Sequence, residues 1–135
     1  MFLDHISTEK RELFLALCYK AICCNDEVND AEVNQLAAYS KELHIEADFE
    51  KYKLMNTDDI LSQLRSMSLV EKKIVLSELL GILMSDKVYD DLEKEFFRNA
   101  GEKMGVAYET TKEIEVGVEE YLSAYGRFVN IVLGE

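Results

Sequence analysis

The 135-residue chain contains no proline, no tryptophan, six glycines and two histidines. Because proline ends or kinks helices, its absence leaves long helical segments uninterrupted. His5 and His44 are isolated and form no His-Glu-x-x-His pair, so a zinc-hydrolase motif is excluded, and we expect both at the surface or at helix ends. There is no glycine-rich phosphate loop and no Gly-x-Ser-x-Gly turn, so we assign no catalytic residue.

The chain also lacks long apolar runs and paired cysteines. No run approaches the ~20 residues of a membrane span, and the first residues do not resemble a secretion signal, so we expect no membrane insertion. Cys18, Cys23 and Cys24 are odd in number, and an adjacent pair is poorly placed for a disulfide. We predict that all three are small buried hydrophobic residues of a cytoplasmic protein.

Basic residues are scarce: 15 lysines and arginines face 27 aspartates and glutamates, for a net charge of −12. A protein this acidic repels nucleic-acid phosphates and anionic lipids, so we expect neither as a partner. Cations, or a protein partner with a basic surface, fit the charge better. The alternative that the charge only keeps the protein in solution stays open.

An internal repeat is the strongest pattern present. Residues 7–45 align without a gap with residues 68–106, at a constant shift of 61. Such a match predicts one supersecondary unit used twice, here two helices joined by a turn. The matched apolar pairs include Leu13 with Ile74, Ile22 with Leu83, Leu36 with Phe97, and Leu43 with Met104.

Helical spacing of apolar residues extends over the whole chain, and no alternating pattern typical of a strand occurs. The segment 69–84 is apolar almost all round, which predicts a central buried helix, and Gly81 within it predicts a close helix crossing. Residues 46–67 predict two short helices, the second capped by Thr57, and Thr110 is predicted to cap a later helix. Residues 121–133 predict a last helix docked on the body after a bend at Gly126.

The expected fold is therefore all-α: a single domain over residues 1–135 with about seven or eight helices. The hairpin repeats 7–45 and 68–106 are expected to be related by a pseudo-twofold axis.

Both repeats carry an acidic turn between their helices. Each turn has an Asx residue, an apolar residue three positions on, an Asx helix cap, and a glutamate three positions after the cap. Such a cap and glutamate are typical of a capping box. The residues are Asn25, Val28, Asn29 and Glu32 in the first turn, and Asp86, Tyr89, Asp90 and Glu93 in the second.

This doubled pattern resembles the TerB-like domains, the helical family named for tellurite-resistance proteins, over residues 7–106. The family pattern is Asp-Gly-x-apolar-Ser-x-x-Glu, present twice. Here Asn25 replaces the first aspartate, and Asp26 and Lys87 replace the two glycines. The resemblance implies divalent-metal binding at one pole, and both kinds of replacement weaken that expectation.

Two interpretations of the turns stay open: helix caps alone, or caps that also form a cation site. Calcium, magnesium and manganese prefer the oxygen ligands that these turns supply. An EF-hand is excluded because the twelfth position counted from Asp26 is Ala37, where a glutamate is required. The candidate metal ligands are Asn25, Asp26, Glu32, Asp86, Asp90 and Glu93.

Three functions follow as hypotheses. The leading one is a non-enzymatic cytoplasmic interaction module with an acidic pole, which the TerB resemblance links to bacterial stress or tellurite response. The second is a small enzyme that uses the turn carboxylates as acid and base on a cationic or metal-bound substrate. The third is a weak metal buffer or sensor.

Overall fold

Seven α-helices form the protein in a computed structural model that describes residues 2–86 and 88–134. A 3-10 helix at Leu3–His5 precedes them. Helices make up 76% of the chain, and no strand occurs in the described part, which confirms the predicted all-α single domain. The helices are α1 (Thr8–Ile22), α2 (Asp30–Leu43), α3 (Phe49–Leu54), α4 (Thr57–Leu64), α5 (Leu69–Leu83), α6 (Asp91–Lys103) and α7 (Tyr108–Leu133).

The helix limits follow the sequence repeat. Helices α1 and α5 begin and end 61 residues apart, and α2 and α6 begin 61 residues apart. After α2 and α6 the chain turns at the equivalent residues His44 and Gly105, both with a left-handed φ (59° and 79°). The next backbone N–H then bonds the carbonyl five residues back, at 3.1 Å after α2 and 2.9 Å after α6. Both hairpins therefore end in the same kind of turn, which glycine adopts freely and histidine adopts at some cost.

Helix α5 lies at the centre and packs against α1, α2, α6 and α7. From Ile74 onward its apolar residues are almost completely buried, as the all-round apolar pattern predicts, whereas Leu69 and Val70 in its first turn are exposed. The predicted close crossing at Gly81 is made by Tyr39 of α2, because a Cβ atom at Gly81 would lie 2.6 Å from the Tyr39 hydroxyl oxygen. That hydroxyl donates a hydrogen bond of 2.8 Å to the backbone oxygen of Glu78.

The joining segments confirm the predicted short helices but correct their caps. Helix α4 is capped by Asn56, whose side chain accepts from the backbone N–H of Asp59 at 3.1 Å, and Thr57 is already helical. Helix α7 starts at Tyr108 without a side-chain cap, so Thr110 lies inside the helix. The turn at Gly105 ends α6 so tightly that α7 begins at once. Because α7 continues unbroken through Gly126, residues 121–133 do not form a separate last helix, and most of their apolar side chains are exposed rather than docked on the body as predicted.

The first half of α7 is attached to the body by a buried ionic group. Glu115 is 3% exposed and accepts hydrogen bonds from the Tyr89 hydroxyl (2.7 Å), Lys112 (3.2 Å) and Arg98 (3.4 Å). Burial raises the pKa of Glu115, but these hydrogen bonds and the Arg98 charge together bring that pKa below its ordinary value. Within the described residues, no helix is long and apolar enough to cross a bilayer.

Candidate functional site

The two acidic turns contact each other directly through a reciprocal pair of hydrogen bonds. The Asn25 side-chain amide donates to Asp90 Oδ2 at 2.7 Å, and the Asn29 amide donates to Asp86 Oδ2 at 2.8 Å. The first Asx residue of each turn thus bonds the helix cap of the other. We call this group the acidic pole, and its residues are Asn25, Asn29, Glu32, Asp86, Asp90 and Glu93.

Each turn is also closed internally in the same way. The Oδ1 atoms of Asn25 and Asp86 accept from the backbone N–H two residues on, both at 3.0 Å. These are Asx turns, in which a side chain mimics a backbone turn. Asp26 follows with a left-handed φ of 61°, at the position where the TerB pattern has glycine. The equivalent Lys87 lies outside the described residues.

The helix caps form as predicted, but only one capping box is complete. Asn29 and Asp90 each accept from the backbone N–H three residues on, at 2.8 Å. Glu93 returns the bond by accepting from the backbone N–H of Asp90 at 3.0 Å. Glu32 instead accepts from the side-chain amide of Asn29 at 2.7 Å. The difference arises because asparagine carries a side-chain donor that aspartate lacks.

Glu32 and Glu93 are buried although they are carboxylic acids, with 1% and 2% of their surfaces exposed. Burial first, and then the charges of neighbouring carboxylates, raise the pKa of each to about 7: Glu93 acts on Glu32, and Asp90 and Asp86 act on Glu93. The Oε2 atom of Glu32 is buried without a hydrogen-bond partner. A proton or a cation at this oxygen would compensate for its burial.

Interactions within the acidic pole also shift the pKa of Asp90 and that of the nearby Cys24 thiol. Hydrogen bonds from the Glu93 backbone and the Asn25 side chain lower the pKa of Asp90. Partial burial, and then the charges of Glu93, Asp90 and Glu32, raise the pKa of the Cys24 thiol to about 12. Cys24 is therefore a protonated thiol at neutral pH rather than a reactive thiolate.

The cysteine prediction is confirmed only in part. All three cysteines are free and Cys18 is buried, but Cys23 and Cys24 are half-buried because they follow the end of α1 at Ile22. Both histidines lie where the sequence predicts: His5 and His44 are exposed, at the end of the 3-10 helix and of α2.

Five of the six predicted site residues belong to the acidic pole. Asp26 does not, because its side chain is exposed and takes no part in the hydrogen bonds between the turns. Sequence analysis treated Asn29 only as a cap and missed its bond to Asp86. The signal was available: the first turn has amides at the two positions where the second has carboxylates, so the turns are complementary as donor and acceptor.

The side chains of the pole are of the kind that bind a hard cation, but side-chain amides occupy the position where the cation would bind. All its possible ligands are oxygens, which calcium, magnesium and manganese prefer. However, the amide nitrogens of Asn25 and Asn29 lie where a cation would bind Asp86 and Asp90. Among residues 2–86 and 88–134, no group of three or more histidines, cysteines, aspartates and glutamates is arranged to hold a metal ion.

Fold and site together define an all-helical protein in which two helical hairpins meet through paired acidic turns. No protein-family model, curated protein or solved structure matches the chain. The TerB resemblance therefore depends on the motif residues quoted above.

Proposed function

We propose that this protein is a non-enzymatic interaction module of the TerB type. Its acidic pole would bind a protein partner with a basic surface, and a divalent cation would be a second ligand of the same pole. The observation that carries the proposal is the reciprocal bonding of the two turns, which gathers four carboxyl groups in one place. Exposed acids surround them and extend the negative surface: Asp26, Glu27, Asp30 and Asp91.

A cation would be held by Glu32 and Glu93 together with Asp86 and Asp90. The buried oxygen of Glu32 without a partner supports this, as does the raised pKa of both glutamates. Binding would require the amides of Asn25 and Asn29 to turn away from their aspartates. We therefore expect weak binding, with a dissociation constant of about 0.1–1 mM, as in low-affinity calcium modules.

The interaction module is preferred over the enzyme because the glutamates are engaged within the turns. Oε1 of Glu93 accepts from a backbone N–H, and Oε1 of Glu32 accepts from an amide. Both side chains are almost completely buried, so a substrate would have little access to either carboxylate as a general base. The proposed link to stress or tellurite response has its support in the TerB resemblance.

Thermal melting at constant ionic strength tests the cation. We expect calcium, magnesium or manganese at several millimolar to raise the melting temperature relative to chelator. The variant Asp86→Asn/Glu93→Gln should lose this shift. The variant Asp30→Asn/Asp91→Asn is a matched control, because it removes the same charge from two exposed residues beside the pole. Equal shifts in all three proteins would show that the cations only screen the net charge. No shift in the wild type would reject the cation site.

Affinity capture from the native host tests the protein partner. The bait variant Asp30→Lys/Asp91→Lys reverses charge beside the pole, whereas Glu109→Lys/Glu113→Lys makes the same change on exposed residues of α7. We expect one partner to be captured by the wild type and the α7 variant but lost with the pole variant. Equal capture by both variants would show that the acidic pole takes no part in the interaction.

A further inference from the structure

The second half of α7 exposes a continuous apolar stripe. Tyr121, Tyr125, Phe128 and Val132 are 51–62% exposed and follow one another at intervals of four, three and four residues. This spacing is that of the a and d positions of a coiled-coil seam. Tyr121 and Tyr125 lie against each other along the stripe, with ring centroids 6.4 Å apart.

A groove runs beside the stripe, between α7 and the ends of α2 and α5. It has a volume of about 730 Å³, and its apolar wall includes Met84, Leu122 and Val129. Gly126 also lines it and leaves room for an inserted side chain, because nothing lies within 4 Å of a Cβ built there. A ridge next to a groove on one surface is self-complementary, since a twofold axis places the ridge of each copy in the groove of the other.

The charge of this surface fits a second copy of the same chain. All five glutamates of α7 lie before Tyr121, and Arg127 is the only charged residue in 121–133. Of the residues that line the groove only Glu119 is acidic, so two copies of a protein with a net charge of −12 can meet here while bringing few acidic groups together. The same net charge disfavours an anionic membrane as the occupant.

The exposed area is also close to what a dimer needs. Besides the stripe, Leu133 is 64% exposed on the side of the groove, whereas Ile131, 80% exposed, lies on the other side of the stripe. At roughly 100 Å² for each side chain, the stripe and Leu133 present an apolar surface on the order of 500 Å². A typical interface buries about 800 Å² on each partner, and a monomer rarely leaves this much apolar surface uncovered.

From the stripe, the groove and the charge, we propose that the protein forms a twofold-symmetric homodimer through the second half of α7. The groove reaches the second acidic turn at Tyr89, but no residue of the stripe belongs to the acidic pole. Variants of the stripe therefore leave the pole residues unchanged, and the dimer and the pole functions can fail independently.

Sedimentation of the full chain from about 1 to 200 µM tests the dimer by mass action. We expect the wild type to reach twice its chain mass of 15.5 kDa and to stay dimeric at 0.5 M NaCl, because the contact is apolar. The variant Tyr125→Glu/Phe128→Glu should be a monomer with unchanged helical circular dichroism. The control Leu54→Glu/Val70→Glu adds the same charge at residues that are at least as exposed elsewhere, and it should remain a dimer.

Three results would overturn the proposal. The wild type could be monomeric at the highest concentration, both variants could stay dimeric, or the mass could grow beyond a dimer without limit. Flotation with zwitterionic and anionic vesicles covers the membrane alternative. A monomeric wild type that floats with vesicles, and loses this in Tyr125→Glu/Phe128→Glu, would assign the stripe to lipid instead.

Discussion

Two buried glutamates at equivalent positions make the acidic pole sensitive to pH. Glu32 and Glu93 are nearly inaccessible to solvent, and burial beside other carboxylates raises the pKa of each from 4.5 to about 7. In the unfolded chain the same groups lose their protons near pH 4.5. Between these values the folded protein binds more protons than the unfolded chain, so its stability falls as pH rises.

The expected result is a loss on the order of 3 kcal/mol in the free energy of unfolding between pH 5 and pH 8. Urea denaturation followed by circular dichroism at several pH values measures it. Glu93→Gln should flatten the dependence, because it removes one titrating group and its repulsion of Glu32. The exposed Glu95 lies on the same helix, so Glu95→Gln serves as the control and should keep the wild-type slope. A wild type that becomes more stable over this range would contradict the assignment.

Asn25 decides whether the turns attract or repel each other. Its amide donates to Asp90 at 2.7 Å, and Asn25→Asp would place a second carboxylate there. We expect a loss of about 2 kcal/mol near neutral pH, since a charged acceptor loses its donor. A divalent cation should restore more stability to this variant than to the wild type, which thermal melting with and without calcium measures.

Asn34→Asp is the matched control for this change, because it adds the same charge at an exposed position of α2. It should alter neither stability nor the calcium response. If Asn25→Asp behaved like Asn34→Asp, the bond between the turns would have no energetic role.

At the scale of helices, the crossing of α2 and α5 depends on one glycine and one hydroxyl. A methyl group at Gly81 would lie 2.6 Å from the Tyr39 oxygen but 3.9 Å from the next ring atom. Gly81→Ala should therefore destabilise the protein by about 2 kcal/mol through overpacking. Tyr39→Phe alone should cost about 1 kcal/mol, for the lost hydrogen bond to Glu78.

The double variant should be no less stable than Tyr39→Phe, because removal of the hydroxyl leaves room for the methyl group. Urea denaturation of the four proteins gives the coupling energy. Gly117→Ala is the control: nothing lies within 4 Å of a Cβ there, so it should stabilise α7 by about 0.5–1 kcal/mol. Additive losses in the double variant would show that the cost of the methyl group does not come from the Tyr39 hydroxyl.

Apolar periodicity was enough to predict the helices, and the shift of 61 was enough to predict equal limits for α1 and α5. The start of α7 was mispredicted because the chain becomes helical soon after the Gly105 turn, at Tyr108, without using a side-chain cap. The acidic turns were predictable as caps because capping is local. The burial of Glu32 and Glu93 was not, since it depends on how the two hairpins pack.

At the scale of the whole molecule, the two proposed contact surfaces have opposite character. The acidic pole gathers carboxylates where α2 and α6 begin, whereas residues 121–133 of α7 carry a single charge. A net charge of −12 on a domain of this size makes it repel itself. The apolar surface therefore lies in the part of the molecule where two copies would repel each other least.

Self-repulsion predicts that salt stabilises this protein. Raising NaCl from about 20 to 500 mM shortens the screening length to a few ångströms, and the melting temperature should rise by roughly 3–5 °C. The variant Glu42→Lys/Glu102→Lys reduces the net charge at exposed residues near helix carboxyl ends, where lysine is favourable, so its rise should be smaller. Calcium bound at the pole should still add its own shift at 500 mM NaCl. A melting temperature that falls with salt would show that local ion pairs outweigh the net charge.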